Sequence, residues 1–92
     1  MILRNMKRNN IDQSYTMIDI KLNTFDDDVI SGLMSKYPKL ASARIEGRNK
    51  FSESGKCLKF YIHHMFFDNR DAAIKDIMHA FKGNEISIRT IK

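Results

Sequence analysis

The spacing of the apolar residues constrains the fold most, because it changes between the period of a strand and the period of a helix. Every second residue is apolar from Ile18 to Leu22, as in a strand that buries one face. Apolar residues then recur three and four positions apart from Val29 to Tyr37, and Pro38 follows, where a helix must stop. This part of the chain therefore predicts a strand followed by a helix.

Each predicted helix has a capping signal at its start. Thr24 stands at the expected N-cap of the first helix, and the aspartates at positions 26–28 follow in the first turn, where carboxylates interact favourably with the helix dipole. A metal site is an alternative interpretation of this triplet, although helix-start chemistry explains it more simply. Asp68 is the predicted N-cap of the second helix. The apolar stripe of that helix consists of Ile74, Ile77, Met78 and Phe81.

Three further segments alternate with a period of two and predict strands at residues 43–51, 56–67 and 86–89. The resulting order is β-α-β-β-α-β. With right-handed crossovers, this order predicts an α+β ferredoxin-like fold, in which two helices cover one face of a four-stranded antiparallel sheet. Residues 15–92 are expected to form this single domain, and residues 1–14 are expected to be a basic, flexible N-terminal arm.

The formal charge of +5 is concentrated in two segments of the chain. The arm carries Arg4, Lys7 and Arg8, and residues 36–59 hold seven basic residues but only two acidic ones. A local positive field favours polyanions or acidic protein surfaces as partners. A basic surface that serves solubility alone is the alternative interpretation.

The cellular setting is predicted from what the sequence lacks. Its one cysteine, Cys57, cannot form an internal disulfide. The apolar runs are too short for a membrane span, and the first residues have no secretory signal core. We therefore expect a soluble protein of the cytoplasm that needs no membrane.

Two adjacent histidines, His63 and His64, interrupt the apolar run of the third strand. Successive side chains of a strand point to opposite faces, so the pair cannot converge on one metal ion without a bulge. His64 is expected at the margin of the core with a hydrogen-bond partner. His63 is expected on the open face of the sheet, beside Lys59 and Tyr61. No metal or cofactor site is predicted.

The open face of the sheet is the predicted binding surface. In the second strand, Ala43 and Ile45 are expected to point inward and the basic residues outward. Cations can neutralise phosphates, and aromatic rings can stack on unpaired bases. The sequence thus favours a non-catalytic protein that binds RNA or a ribonucleoprotein complex. The candidate binding residues are Arg44, Arg48, Lys50, Lys59, Tyr61 and His63.

Two other functions stay open. A small ribonuclease could use His63 and Asp19 as acid and base, although the sequence has no nucleophile signature, Gly-rich phosphate loop or Cys/His metal spacing. A protein-only module is the third possibility. It would form a homodimer or bind a host protein through an apolar strip on the open face. That strip is predicted to contain Tyr61, Met65 and Phe67.

In topology, the layout resembles the RNA-recognition motif. That family has a basic-Gly-aromatic-Gly-aromatic pattern in its third strand, where Lys56 and Phe60 match in the stretch KCLKFYIH. The first strand reads IDIKLN and places Asp19 where the family has a stacking aromatic residue. These departures separate the chain from ordinary members of that family, and no binding residue is transferred from it.

As a whole, the chain resembles the small counter-defence proteins encoded by phages, which include anti-CRISPR proteins. The resemblance lies in its size, its basic arm, its layout and its composition, which leans toward Asn, Lys and Ile. It implies an inhibitor in the host cytoplasm. Such an inhibitor would bind a nucleoprotein or nuclease of the host and block it by occupancy rather than by chemistry.

Overall fold

The computed structural model of the protein describes residues 13–47 and 55–92. Most of the predicted arm, residues 1–12, and two candidate binding residues, Arg48 and Lys50, lie outside this part. The elements are β1 Tyr15–Leu22, α1 Asp27–Lys36, β2 Ala41–Glu46, β3 Lys56–His63, a 3-10 helix His64–Phe66, α2 Arg70–Ala80 and β4 Ile86–Ile91. Their order confirms the predicted β-α-β-β-α-β arrangement.

The four strands form one antiparallel sheet in the order β2-β3-β1-β4. The two central strands pair along their full length, from Tyr15 opposite His63 to Leu22 opposite Lys56. This is the sheet of the predicted ferredoxin-like fold. Strand β1 lies between β3 and β4, so a side chain on β1 can contact groups on both of them.

The hydrophobic core lies on one face of the sheet, between the central strands and the two helices. Ile18 and Ile20 of β1 are fully buried there, as are Leu58, Phe60 and Ile62 of β3. The helices complete this core with apolar side chains one turn apart, as their spacing predicted. These residues are Ile30 and Leu33 of α1 and Ala73 and Ile77 of α2.

Both helices begin close to the predicted positions but use different caps. The carboxylate of Asp26, not the hydroxyl of Thr24, caps α1 and accepts hydrogen bonds from the backbone of Asp28 and Val29 at 3.1 and 3.2 Å. Asn69, not Asp68, caps α2. Both chain segments offer neighbouring residues with suitable oxygens, and backbone geometry selects the one that reaches a free N–H.

The third strand ends at His63, four residues earlier than predicted. The backbone N–H of His64 donates to the carbonyl of Ser14 at 3.1 Å, and the chain then turns into the 3-10 helix. Strand alternation therefore stops before Met65, and the predicted strip of Tyr61, Met65 and Phe67 does not form. Met65 is exposed, whereas Phe67 packs against the core.

A polar contact joins the end of α1 to the middle of α2. The hydroxyl of Tyr37 donates to the Asp76 carboxylate, which also lies 2.7 Å from the amino group of Lys36. Hydrogen bonds from Lys36 and then Tyr37 lower the pKa of Asp76, and the bond to Asp76 raises the pKa of Lys36. The charged carboxylate thus stabilises the packing of α1 against α2.

We expect Asp76→Asn to lower the melting temperature at pH 7, where the native carboxylate is charged. The native protein should begin to lose this advantage as the pH falls below about 3.9, the ordinary pKa of an aspartate in the unfolded chain. The loss should be complete once the pH is below the lowered pKa of Asp76 in the folded protein. The two melting temperatures should therefore converge in acid when followed by circular dichroism. Tyr37→Phe keeps the ion pair and should cause a smaller loss. Equal melting temperatures at pH 7 would contradict this role.

Candidate nucleic-acid interface

The face of the sheet opposite the helices has a charge cluster at its centre. Asp19 of β1 leaves only 8% of its side chain exposed, and its Oδ1 lies 2.9 Å from the amino group of Lys59 on β3. Its Oδ2 lies 3.6 Å from the guanidinium of Arg89 on β4. The hydrogen bond to Asp19 is the main cause that raises the pKa of Lys59. One carboxylate thus connects three neighbouring strands.

Aromatic rings cluster at one end of the same face. The ring of Tyr15 on β1 lies 5.4 Å from that of His63 and 6.2 Å from that of Tyr61, both on β3. These separations and tilted orientations are typical of favourable aromatic pairs. All three side chains are half-buried, so each keeps a solvent-accessible part. The central strands therefore present three rings together beside the charge cluster.

Further side chains surround the charge cluster. Lys21 forms an ion pair of 2.9 Å with Glu85, at the end of β1 away from the rings. Arg89 also contacts the sulfur of Met17 at 4.0 Å. Cys57 is buried on this face, and burial is the main cause that raises the pKa of its thiol. Lys21, Lys59 and Arg89 thus place three cations on the same face as the aromatic rings.

Three of the predicted binding residues lie on this face. Lys59, Tyr61 and His63 stand opposite Asp19, Met17 and Tyr15 in the β1–β3 register, and directly opposed residues share a face. The sequence alternation predicted this correctly for β3. Arg48 and Lys50 lie outside the described residues.

Arg44 was predicted on the open face but lies on the face that the helices cover. It stands opposite the fully buried Leu58, and its guanidinium is 2.6 Å from the carboxylate of Asp27 and 5.3 Å above the ring of Phe25. Ala43 and Ile45, expected inside, are on the open face. The reason for this orientation is that β2 is an edge strand beside the acidic start of α1. A basic side chain on the helical face of β2 finds an acidic partner there.

Sequence reasoning missed Tyr15 and Arg89 as site residues. Tyr15 begins β1 and Arg89 lies in β4, and neither is among the candidate binding residues that the sequence indicates. Antiparallel pairing brings Tyr15 of β1 opposite His63 of β3, and Met17 of β1 opposite Arg89 of β4. The missing signal was thus the register between strands, which alternation within one strand does not contain.

His63 and Asp19 are not brought together as an acid-base pair. Asp19 pairs with Lys59 and His63 with Tyr15, four residues apart along the strands. At about 3.3 Å per residue, this is a separation of roughly 13 Å. Asp19 is also engaged by Lys59, as described above. The arrangement of these two residues therefore does not favour catalysis by them.

His64 lies at the margin of the core and has the hydrogen-bond partners expected for it. Its Nδ1 is 2.8 Å from the hydroxyl of Ser14, and its Nε2 is 2.7 Å from that of Thr16. Both ring nitrogens are thus bonded to β1 or the residue before it. This arrangement fixes the ring where β3 turns into the 3-10 helix.

Two features are absent from the described part of the chain. Among residues 13–47 and 55–92, no three His, Cys, Asp or Glu side chains are grouped so that they could hold a metal ion. No helix in that same part of the chain is long and apolar enough to cross a membrane.

Comparisons with protein-family models, with curated proteins and with solved structures give no match to this chain. The residues of the site therefore carry the functional inference.

The charge cluster can be tested by its effect on stability. Lys59→Met should cost up to about 3 kcal/mol, because it leaves a nearly buried carboxylate with only the longer contact to Arg89. Asp19→Asn combined with Lys59→Met should recover part of this loss, since no buried charge then remains and the side chain of Arg89 is exposed. Urea unfolding of the two single variants and the double variant measures the coupling. Strictly additive effects would show that the two side chains do not interact.

Proposed function

We propose that the protein is a non-catalytic binding protein that engages single-stranded RNA, free or within a ribonucleoprotein complex, through the open face of its sheet. The observation that carries this proposal is the grouping of Tyr15, Tyr61 and His63 on the two central strands. The cations of Lys59 and Arg89 lie beside these rings. Bases and phosphates are the two chemical parts of a nucleic-acid strand, and this face has a complementary group for each.

The aromatic cluster suits unpaired bases rather than a duplex. The flat faces of bases are covered by their neighbours inside a double helix, and they become available for stacking only when the strand is single. Each base that stacks on an aromatic side chain contributes about 1–3 kcal/mol to binding. Three adjacent rings on rigid central strands offer such contacts without a large loss of side-chain freedom.

The cations at the centre of the face suit phosphate groups. Arg89 is the more available of the two partners of Asp19, because 56% of its side chain is exposed and its contact is the longer one. A phosphate can therefore bind Arg89 while Lys59 continues to neutralise Asp19. Other basic residues of the sequence add to the attraction of a polyanion through their charge. They are Arg4, Lys7, Arg8, Arg48 and Lys50.

The resemblance to phage counter-defence proteins fits the same proposal. A small protein that occupies RNA, or the RNA-bearing surface of a host defence complex, can inhibit that complex without catalysing a reaction. The expected place of action would then be the cytoplasm of the host. Size, composition and layout support this part of the proposal, and the aromatic cluster supports the binding of RNA.

The stacking and phosphate roles can be separated with single variants. We expect Tyr61→Ala to weaken binding of a labelled single-stranded RNA at least fivefold, since it removes one stacking ring. Arg89→Ala should weaken binding and lower the slope of log K against log salt by about 0.7, the share of one phosphate contact. Fluorescence anisotropy over a salt series, in parallel with the DNA counterpart, measures both quantities.

Two variants serve as controls for this experiment. Tyr61→Phe keeps a ring and should bind almost as the native protein does, and Lys75→Ala removes an exposed cation from α2, away from the open face. Unchanged affinity in Tyr61→Ala and an unchanged salt slope in Arg89→Ala would contradict the proposal. Cleavage of the recovered RNA would instead show that the protein is a nuclease.

A further inference from the structure

A small apolar cleft lies beside the 3-10 helix that ends β3. It has a volume of about 210 Å³ and opens between the turn after α1 and the segment that leads into α2. Its walls are Tyr37, Pro38, Phe66 and Phe67, with the rings of Tyr37 and Phe67 at 6.3 Å. The cleft is smaller than the roughly 300–1,000 Å³ of a typical small-molecule site, so it suits one planar ring system.

The cleft is continuous with the aromatic cluster of the open face. The ring of Phe66 lies 6.3 Å from that of His63 in an edge-on orientation, and His63 contacts Tyr15. Phe66 is at the same time a lining residue of the cleft. A row of rings therefore runs from Tyr15 through His63 to Phe66, around the end of β3 and into the cleft.

The surroundings of the cleft are charged and polar in a way that suits a nucleotide. The amino group of Lys39 lies 5.8 Å above the ring of Phe66, and 55% of Phe66 is exposed. Lys36 and Asp68 also line the cleft, and the amino group of Lys36 is held 2.7 Å from the Asp76 carboxylate. The amide of Asn69 uses its oxygen to cap α2, which leaves its NH₂ group on the side chain as a donor.

We propose that this cleft receives one unpaired base of the same RNA strand that binds the open face. This inference rests on the proposed function and adds a second subsite to it. Phe66 provides the platform on which the base stacks, and Lys39 binds the adjoining phosphate. The RNA leaves the sheet at His63 and turns around the end of β3. A strand too short to make this turn contacts the open face alone.

The occupant is a base rather than an apolar side chain of a partner protein because of the charges at the rim. Lys39 complements the phosphate beside a base, and an aliphatic side chain has no group for this cation. Continuity with the rings of the open face also requires a ligand that carries repeated planar groups, which a single RNA strand does.

The test compares Phe66→Ala with Met65→Ala, its neighbour in the 3-10 helix. Both side chains are about half exposed, at 55% and 51%, so neither substitution should unfold the protein. Affinity is measured by anisotropy for single-stranded RNAs of about 4 to 12 nucleotides. For native protein and Met65→Ala, affinity should rise with length and then level off. Phe66→Ala should bind the shortest RNA as tightly as the native protein does. Its affinity for the longest RNA should be at least fivefold lower than that of the native protein.

The outcomes separate this inference from the function on which it rests. If native protein binds RNA and Phe66→Ala follows the native length dependence, the cleft is not a base subsite, although the open face still binds. If Phe66→Ala and Met65→Ala lose affinity equally, the effect belongs to the 3-10 helix as a whole, and the inference is wrong. If native protein binds no RNA of any length, both the proposed function and the subsite are wrong.

Discussion

The carboxylate of Asp19 lies in the middle of the central strand β1, on the face without helices, and water reaches little of it. A buried charge must be compensated where it lies. Lys59 from β3 and Arg89 from β4 provide that compensation. This contact holds three strands together from the open side, while the hydrophobic core between sheet and helices lies on the other. It also places charged groups at the centre of the open face, where a ligand can reach the exposed side chain of Arg89.

The period of the apolar residues was sufficient to predict the element order and the fold, because burial on one side imposes it on both strands and helices. It also placed Lys59, Tyr61 and His63 correctly. Alternation separates the residues of a strand into two faces but does not show which face the helices cover. On the edge strand β2, the prediction therefore placed Arg44 on the wrong face. The end of β3 depended on contacts of His64 with Ser14, fifty positions away in the sequence.

Register between strands explains the remaining difference between sequence and structure. Tyr15 and His63 are distant in the sequence, and only antiparallel pairing makes them neighbours. The same pairing separates His63 from Asp19, two residues that sequence reasoning had combined as an acid-base pair. The side chains that a ligand would contact thus depend on which residues of neighbouring strands stand opposite each other. The alternation within a single strand shows which residues share a face but not which residues are paired.

The central claim is that the open face, and not the helical face, binds single-stranded RNA. Titration of isotope-labelled protein with a short unlabelled RNA, followed through backbone amide shifts, tests it most directly. We predict that the largest changes occur in β1 and β3 around Tyr15, Tyr61 and His63, and in β4 near Arg89, while exposed positions of α2 such as Lys75 remain still. Changes confined to the helices, or none at a saturating RNA concentration, would contradict the claim.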